Sequence, residues 1–152
     1  MHNPHACVSL GWVYERLGVS DRAADEYSRA CLMQDSEGCC FSADLLVQRS
    51  ATDARAVREA AELYRRSCEN KYWRACTKLG ELYEDGQLDS ERAYSEAAFL
   101  YQTACDTPGT ADPPFAPACR KLAALLQKDW NGKDPDRAAQ YLSRAVEAEK
   151  GR

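Results

Sequence analysis

Along the chain the apolar positions recur in a helical rhythm, and the same rhythm returns several times. Ala23-Ala24-x-x-Tyr27-x-x-Ala30-Cys31 reappears as Ala60-Ala61-x-x-Tyr64-x-x-Ser67-Cys68. It returns as Ala97-Ala98-x-x-Tyr101-x-x-Ala104-Cys105 and, more loosely, as Ala138-Ala139-x-x-Leu142-x-x-Ala145-Val146. Apolar residues at i, i+1, i+4, i+7 and i+8 share one face of an α-helix. Alanines on that face predict close helix–helix contact, and Ala61 and Ala98 are expected at the tightest points.

A second pattern alternates with the first. Cys7-x-x-Leu10-Gly11-x-Val13-Tyr14 matches Cys76-x-x-Leu79-Gly80-x-Leu82-Tyr83, and Cys119-x-x-Leu122-Ala123-x-Leu125-Leu126 is a looser copy. In Cys39-x-x-Ser42-Ala43-x-Leu45-Leu46 the leading leucine is lost. The order is A-B-A-B-A-B-A-B, with turn-forming segments such as RLGVSD, DGQLDS and NGKDPD between A and B. Gly86 and Gly132 suit helix exits, Ser20 and Asp134 suit N-caps, and Pro135 suits a first helical position. No stretch alternates over the length of a strand. The expectation is an all-α protein, an α/α solenoid of four helical hairpins, because one hairpin alone cannot bury both of its faces. The repeats fall at about 6–36, 37–73, 74–114 and 115–149 of a single domain.

The cysteines keep the same period. Cys31 to Cys68, Cys68 to Cys105 and Cys39 to Cys76 are each 37 residues apart. The first cysteine of each pair ends a B helix and the second opens the next A helix. The short junction brings the two sulfurs within reach of a disulfide, which predicts the bridges Cys31–Cys39, Cys68–Cys76 and Cys105–Cys119. Cys7 holds a second-cysteine position with no first cysteine before it, and Cys40 falls outside the pattern as a thiol or packing residue. Eight cysteines in 152 residues point to an oxidising compartment.

The period, the C-x7-C spacing, LGELYEDG and the Ala-Ala-x-x-Tyr helix together resemble Sel1-like repeats, most of all the cysteine-rich subgroup typified by the Helicobacter cysteine-rich proteins. The resemblance covers nearly the whole chain and is closest over Cys76 to Cys105. It implies a right-handed α/α superhelix related to tetratricopeptide arrays, with disulfides tying adjacent helices. It also implies an alternative activity, binding or weak hydrolysis of β-lactams, and a second alternative, an assembly factor in the mitochondrial intermembrane space. Ser42, Ala43 and Ala123 depart from the usual Leu or Gly, and Val146 stands where a cysteine would recur.

Charge and composition narrow the function. The net charge of −4 disfavours nucleic acid, whose phosphates need a basic face, and no apolar run approaches a membrane span. The first eleven residues, MHNPHACVSLG, lack the basic start and apolar core of a signal peptide, which leaves a removed leader or upstream repeats open. A periplasmic or secreted setting follows from the cysteines. Both histidines, His2 and His5, sit at the N-terminus, so a zinc set with Cys7 and a Cys-His nucleophile pair are both set aside. No Ser-x-x-Lys nucleophile, phosphate loop or HExxH pair is present, so neither catalytic residues nor a cofactor are expected.

The expected role is a protein–protein interaction scaffold whose partner is another protein. Contacts are expected on the exposed sides of the A helices: Ser9 and Trp12, Lys78 and Glu81, Arg120 and Ala124. The junction Asp106 to Ala118 is 13 residues long with four prolines, which makes Phe115 a further anchor candidate. Tyr72 and Trp73 pose the same choice between anchor and core.

Overall fold

The computed structural model describes residues 3–50, 52–106 and 115–150, with eight α-helices and no strand among them. The chain divides into two compact units, Met1–Tyr72 and Trp73–Arg152. The first holds α1 (Pro4–Arg16), α2 (Ser20–Leu32), α3 (Ser36–Ser50) and α4 (Ala54–Glu69). The second holds α5 (Trp73–Glu84), α6 (Ala93–Asp106), α7 (Ala116–Gln127) and α8 (Pro135–Lys150). Odd-numbered helices are the A type and even-numbered ones the B type. In the first unit α1 packs on α2, α3 on α4 and α2 on α3, with α1 also touching α3; the second unit repeats this scheme with α5 to α8.

Local chemistry sets the helix ends. Asn3, Asp53 and Asp134 accept hydrogen bonds from the backbone N–H groups of His5, Arg55 and Arg137, satisfying donors the helix leaves unpaired. Ser20 is the first residue of α2 rather than its cap; Val19 takes that place without a side-chain bond. Gly18 and Gly86 leave α1 and α5 at φ 73° and 69°, the left-handed region open to glycine. Gln34 and Lys71, which follow α2 and α4 at the same place in the repeat, take φ 65° without being glycine. Gly132 serves a different purpose from the expected exit. A Cβ there would meet the Trp130 indole at 2.2 Å, so the glycine lets the ring fold back on the turn.

The B helices bury a narrower stripe than the sequence pattern suggested. The first alanine of each pair, Ala23, Ala60, Ala97 and Ala138, is wholly buried; of the second alanines Ala61 is buried as expected, whereas Ala24 and Ala98 are only partly covered and Ala139 is exposed. The tight point expected at Ala98 therefore lies at Ala97. In α8 the register shifts by one: Tyr141 is buried while Leu142 and Val146, aligned to core positions, are exposed.

Each of the first three hairpins is latched by a tyrosine. Tyr27, Tyr64 and Tyr101 donate their hydroxyls to Glu15, Asp44 and Glu84 at 2.5, 2.6 and 2.6 Å. In α1 and α5 the ring is seated on a glycine, Gly11 under Tyr27 and Gly80 under Tyr101. This accounts for the motif LGELYEDG: Gly80 admits the ring, Glu84 one turn later receives its hydroxyl, and Gly86 ends the helix. A buried hydroxyl left without an acceptor costs more than the bond contributes, so the glutamate and the tyrosine form one unit.

Candidate protein-interaction surface

The junctions hold the disulfides. Cys31–Cys39 joins α2 to α3 with Cα atoms 4.4 Å apart, and Cys105–Cys119 joins α6 to α7 at 4.9 Å. Gly38 allows the first approach, since a Cβ there would lie 2.5 Å from that of Ala30. Cys68 and Cys76 are disulfide-bonded as well. Cys7 and Cys40 are buried thiols outside the bridges. Burial raises the Cys7 pKa, aided by the charge and hydrogen bond of Glu26 and opposed by Arg29, which keeps the thiol protonated and a poor nucleophile. His5 pairs with Asp35 at 3.4 Å, and His2 lies outside the described residues. Among the described residues no three His, Cys, Asp or Glu side chains gather as a metal site.

In the first unit, α1 presents Ser9 and Trp12 outward, and Trp12 is 56% exposed. It shares this exposure with Leu10, Val13 and Leu17 of the same stretch. Two residues after Cys39, at the place Ser9 holds after Cys7, Phe41 is half-buried with its ring 5.1 Å from that of Tyr27.

In the second unit the equivalent positions form a charged row. Lys78 Nζ lies 2.9 Å from Glu81 Oε2, and Lys121 Nζ lies 3.3 Å from Glu81 Oε1. The ladder crosses from α5 to α7 through Lys121, not through Arg120. Arg120 turns the other way and pairs with Glu149 of α8. Repeat arithmetic accounts for the difference: Lys78 and Lys121 each stand two residues after a second cysteine, Arg120 only one. Ala124 is exposed beside them.

One turn further along, Lys128 Nζ meets Glu84 Oε1 at 2.5 Å and lies 5.7 Å from the centre of the Tyr94 ring. Burial pushes the Glu84 carboxyl up, but hydrogen bonds from Lys128 and Tyr101 and the charges of Lys128 and Lys121 outweigh it and leave the pKa lowered. The Glu84 hydrogen bond raises that of Lys128. Tyr94 and Trp130 meet edge to face with centroids 6.0 Å apart. Trp130 Nε1 donates to the Leu125 carbonyl at 2.9 Å, so the indole is fixed by that bond, by Gly132 and by Tyr94. The two rings border a cleft of about 250 Å³ shared with Arg92, Ser95 and Asn131. Lys121, Lys128, Tyr94 and Trp130 were missed from sequence. The cysteine register carries a signal for Lys121; the turn residue Trp130 lies outside any periodic pattern.

Phe115 is half-buried at the N-cap of α7. The rest of its expected binding loop, residues 107–114, lies outside the described residues. Tyr72 and Trp73 are both partly buried.

The fold is that of Sel1-repeat proteins, an all-α solenoid. A crystal structure of c5321, a protective antigen of uropathogenic Escherichia coli with an SLR fold, superposes with TM-score 0.77 at 23% identity over 95% of this chain. The chain spans only 30% of that protein's length. A Sel1 repeat protein from Oxalobacter formigenes superposes with TM-score 0.72 at 24% identity, over 99% of this chain and 60% of that one. MamA gives 0.65 at 18% identity, over 98% of this chain and 80% of its own. No protein-family model matches the chain, and no curated protein is similar to it. No helix among the described residues is long and apolar enough to cross a membrane.

Proposed function

We propose that the chain is a disulfide-stapled scaffold that binds other proteins through the outward sides of its A helices. One observation carries the reading. Aligned positions on α5 and α7 present an accessible row of paired charges, Lys78, Glu81 and Lys121, that leads to a fixed aromatic corner at Tyr94 and Trp130. Charges already paired on the scaffold lose little freedom on binding and exchange partners readily, while rigid aromatics supply contact area at low entropic cost. Trp12 offers the first unit a comparable anchor. The bridges favour a periplasmic or secreted setting. The repeats of the single domain lie at about 6–36, 37–73, 74–114 and 115–149, each with its own A helix.

The test is selection of peptides from a displayed random library on the immobilised oxidised chain, followed by affinity measurement on variants. Selected peptides should lose affinity for Lys121→Ala or Trp130→Ala, or for Trp12→Ala if they bind the first unit. Each true anchor should account for about 1–2 kcal/mol. Peptides that bind all three variants as tightly as the parent would place the surface elsewhere.

A further inference from the structure

The cleft beside the start of α6 joins an aromatic floor to a rim of free hydrogen-bond donors. Trp130 enters it with its polar edge already satisfied, because Nε1 donates to the Leu125 carbonyl. Gly132 lies against the benzo part of the ring, and Tyr94 meets the indole edge to face. What the indole presents to the cleft is therefore hydrocarbon, held in one orientation.

Arg92, Ser90, Ser95 and Asn131 stand around these rings. Ser90 Oγ accepts the backbone N–H of Arg92 at 3.2 Å, which leaves its own proton to be donated elsewhere. The Ser95 hydroxyl, the Asn131 amide and the Arg92 guanidinium have no side-chain partner among the described residues. The neighbouring cations differ. Lys78 and Lys121 share Glu81, and Lys128 is matched by Glu84. Arg92 is thus the cation at the aromatic corner whose charge no ion pair offsets. Glu91 also lines the cleft, and among the described residues it forms no ion pair with Arg92.

We infer that the cleft receives an aromatic side chain from an acidic segment of a partner protein, with the ring laid on Trp130 and an adjacent Asp or Glu carboxylate held by Arg92. This rests on the scaffold reading and gives its partner a chemistry. The cleft volume of about 250 Å³ falls below the roughly 300–1,000 Å³ of small-molecule and cofactor sites, and suits one side chain of a larger partner. Charge and donor geometry decide the rest. A guanidinium meets a carboxylate with two parallel donors, and Ser95 and Asn131 add donors to the same rim. The indole surface favours a ring, which gains from aromatic contact beyond its buried area. A basic segment would be repelled by Arg92, and the larger charge of a phosphate would be opposed more strongly by Glu91. Lys128, 5.7 Å from the centre of the Tyr94 ring, extends the positive edge past the cleft, so acidic residues on either side of the aromatic one are favoured.

The experiment titrates the oxidised full chain with end-blocked peptides by calorimetry. Glu-Asp-Trp-Asp-Glu is compared with Gln-Asn-Trp-Asn-Gln, Lys-Lys-Trp-Lys-Lys and Glu-Asp-Ala-Asp-Glu. The acidic tryptophan peptide should bind on the order of tenfold more tightly than each of the others. Arg92→Gln should weaken it by about fivefold, and Glu91→Gln should tighten it by about twofold. Both residues are exposed, and circular dichroism checks that both variants keep their helix. Opposite signs at adjacent positions are not what a general structural disturbance produces. No binding of the acidic peptide, equal binding of the neutral or basic one, or indifference to Arg92→Gln overturns the inference. The scaffold reading fails separately: library-selected peptides that depend on Lys121, Trp130 or Trp12 but not on Arg92 would uphold it and overturn this one.

Discussion

The backbone of Gly80 lies so close beneath the ring of Tyr101 that a methyl group at its Cα would come within 2.6 Å of Cε1. The ring has no room to yield. It is fully buried, and its hydroxyl is tied to Glu84. Gly80→Ala should therefore destabilise the protein by about 1–3 kcal/mol, the usual range for overpacking, despite alanine's better helix propensity. Thermal melting checks it, with the exposed Ala124→Gly as a control that reports propensity alone. An unchanged melting temperature in Gly80→Ala would mean that the ring moves freely.

Glu84 ties part of the stability to pH. Its folded pKa lies below the ordinary carboxylate value because Lys128 and Tyr101 bond the charged form, overcoming burial. A depressed carboxylate contributes stability that is fully present above its unfolded pKa and is lost as pH falls through the folded one. Melting temperature should therefore fall on acidification below the ordinary carboxylate range, and less steeply in Lys128→Met, where the depression is relieved. Parallel melts of the two proteins from neutral to acidic pH measure this. Identical acid limbs would assign the loss to other carboxylates.

Non-reducing peptide mapping should return Cys31–Cys39, Cys68–Cys76 and Cys105–Cys119, with Cys7 and Cys40 alkylated only after unfolding. Opening the short loop of any one bridge should cost about 2–3 kcal/mol in the chain-entropy account. A fragment linking Cys68 to any cysteine but Cys76 would contradict the repeat reading of that junction.

Gln34 and Lys71 occupy left-handed backbone at equivalent places after α2 and α4. A side chain costs roughly 1 kcal/mol in that region and glycine does not. Gln34→Gly and Lys71→Gly should each raise the melting temperature slightly. Calorimetry of each single variant measures the gain, and an unchanged or lowered melting temperature would contradict it.

Much of the fold is legible in the sequence because one face of every helix must meet a neighbour, and the 37-residue recurrence of alanine, tyrosine and cysteine marks that face. Periodicity does not tell how wide the face is. Ala98 shares the apolar pattern with Ala97, yet only Ala97 sits on the helix-contact line. Nor does it tell whether a neighbour is present: Leu10, Val13, Leu142 and Val146 read as core and are exposed. The charged row was half visible. Lys78 and Glu81 follow from the A-helix pattern, but the residue that meets Glu81 from α7 is Lys121 and not its neighbour Arg120, since one residue turns a helix by about 100°. Trp130 owes its place to a glycine two residues later and a carbonyl five residues earlier, and no repeat encodes either.

The two bridges drawn between helices close loops of only 8 and 14 residues. Both thiols of each pair therefore emerge from a ribosome or a translocation channel almost together, before the next pair exists. The effective concentration of the correct partner far exceeds that of any cysteine a repeat away. Oxidation can proceed in order from the N-terminus, each staple closing over the helices already made, and mispaired intermediates have little opportunity to form. A chain built this way matures with little call on a disulfide isomerase, even though eight cysteines allow many wrong connectivities.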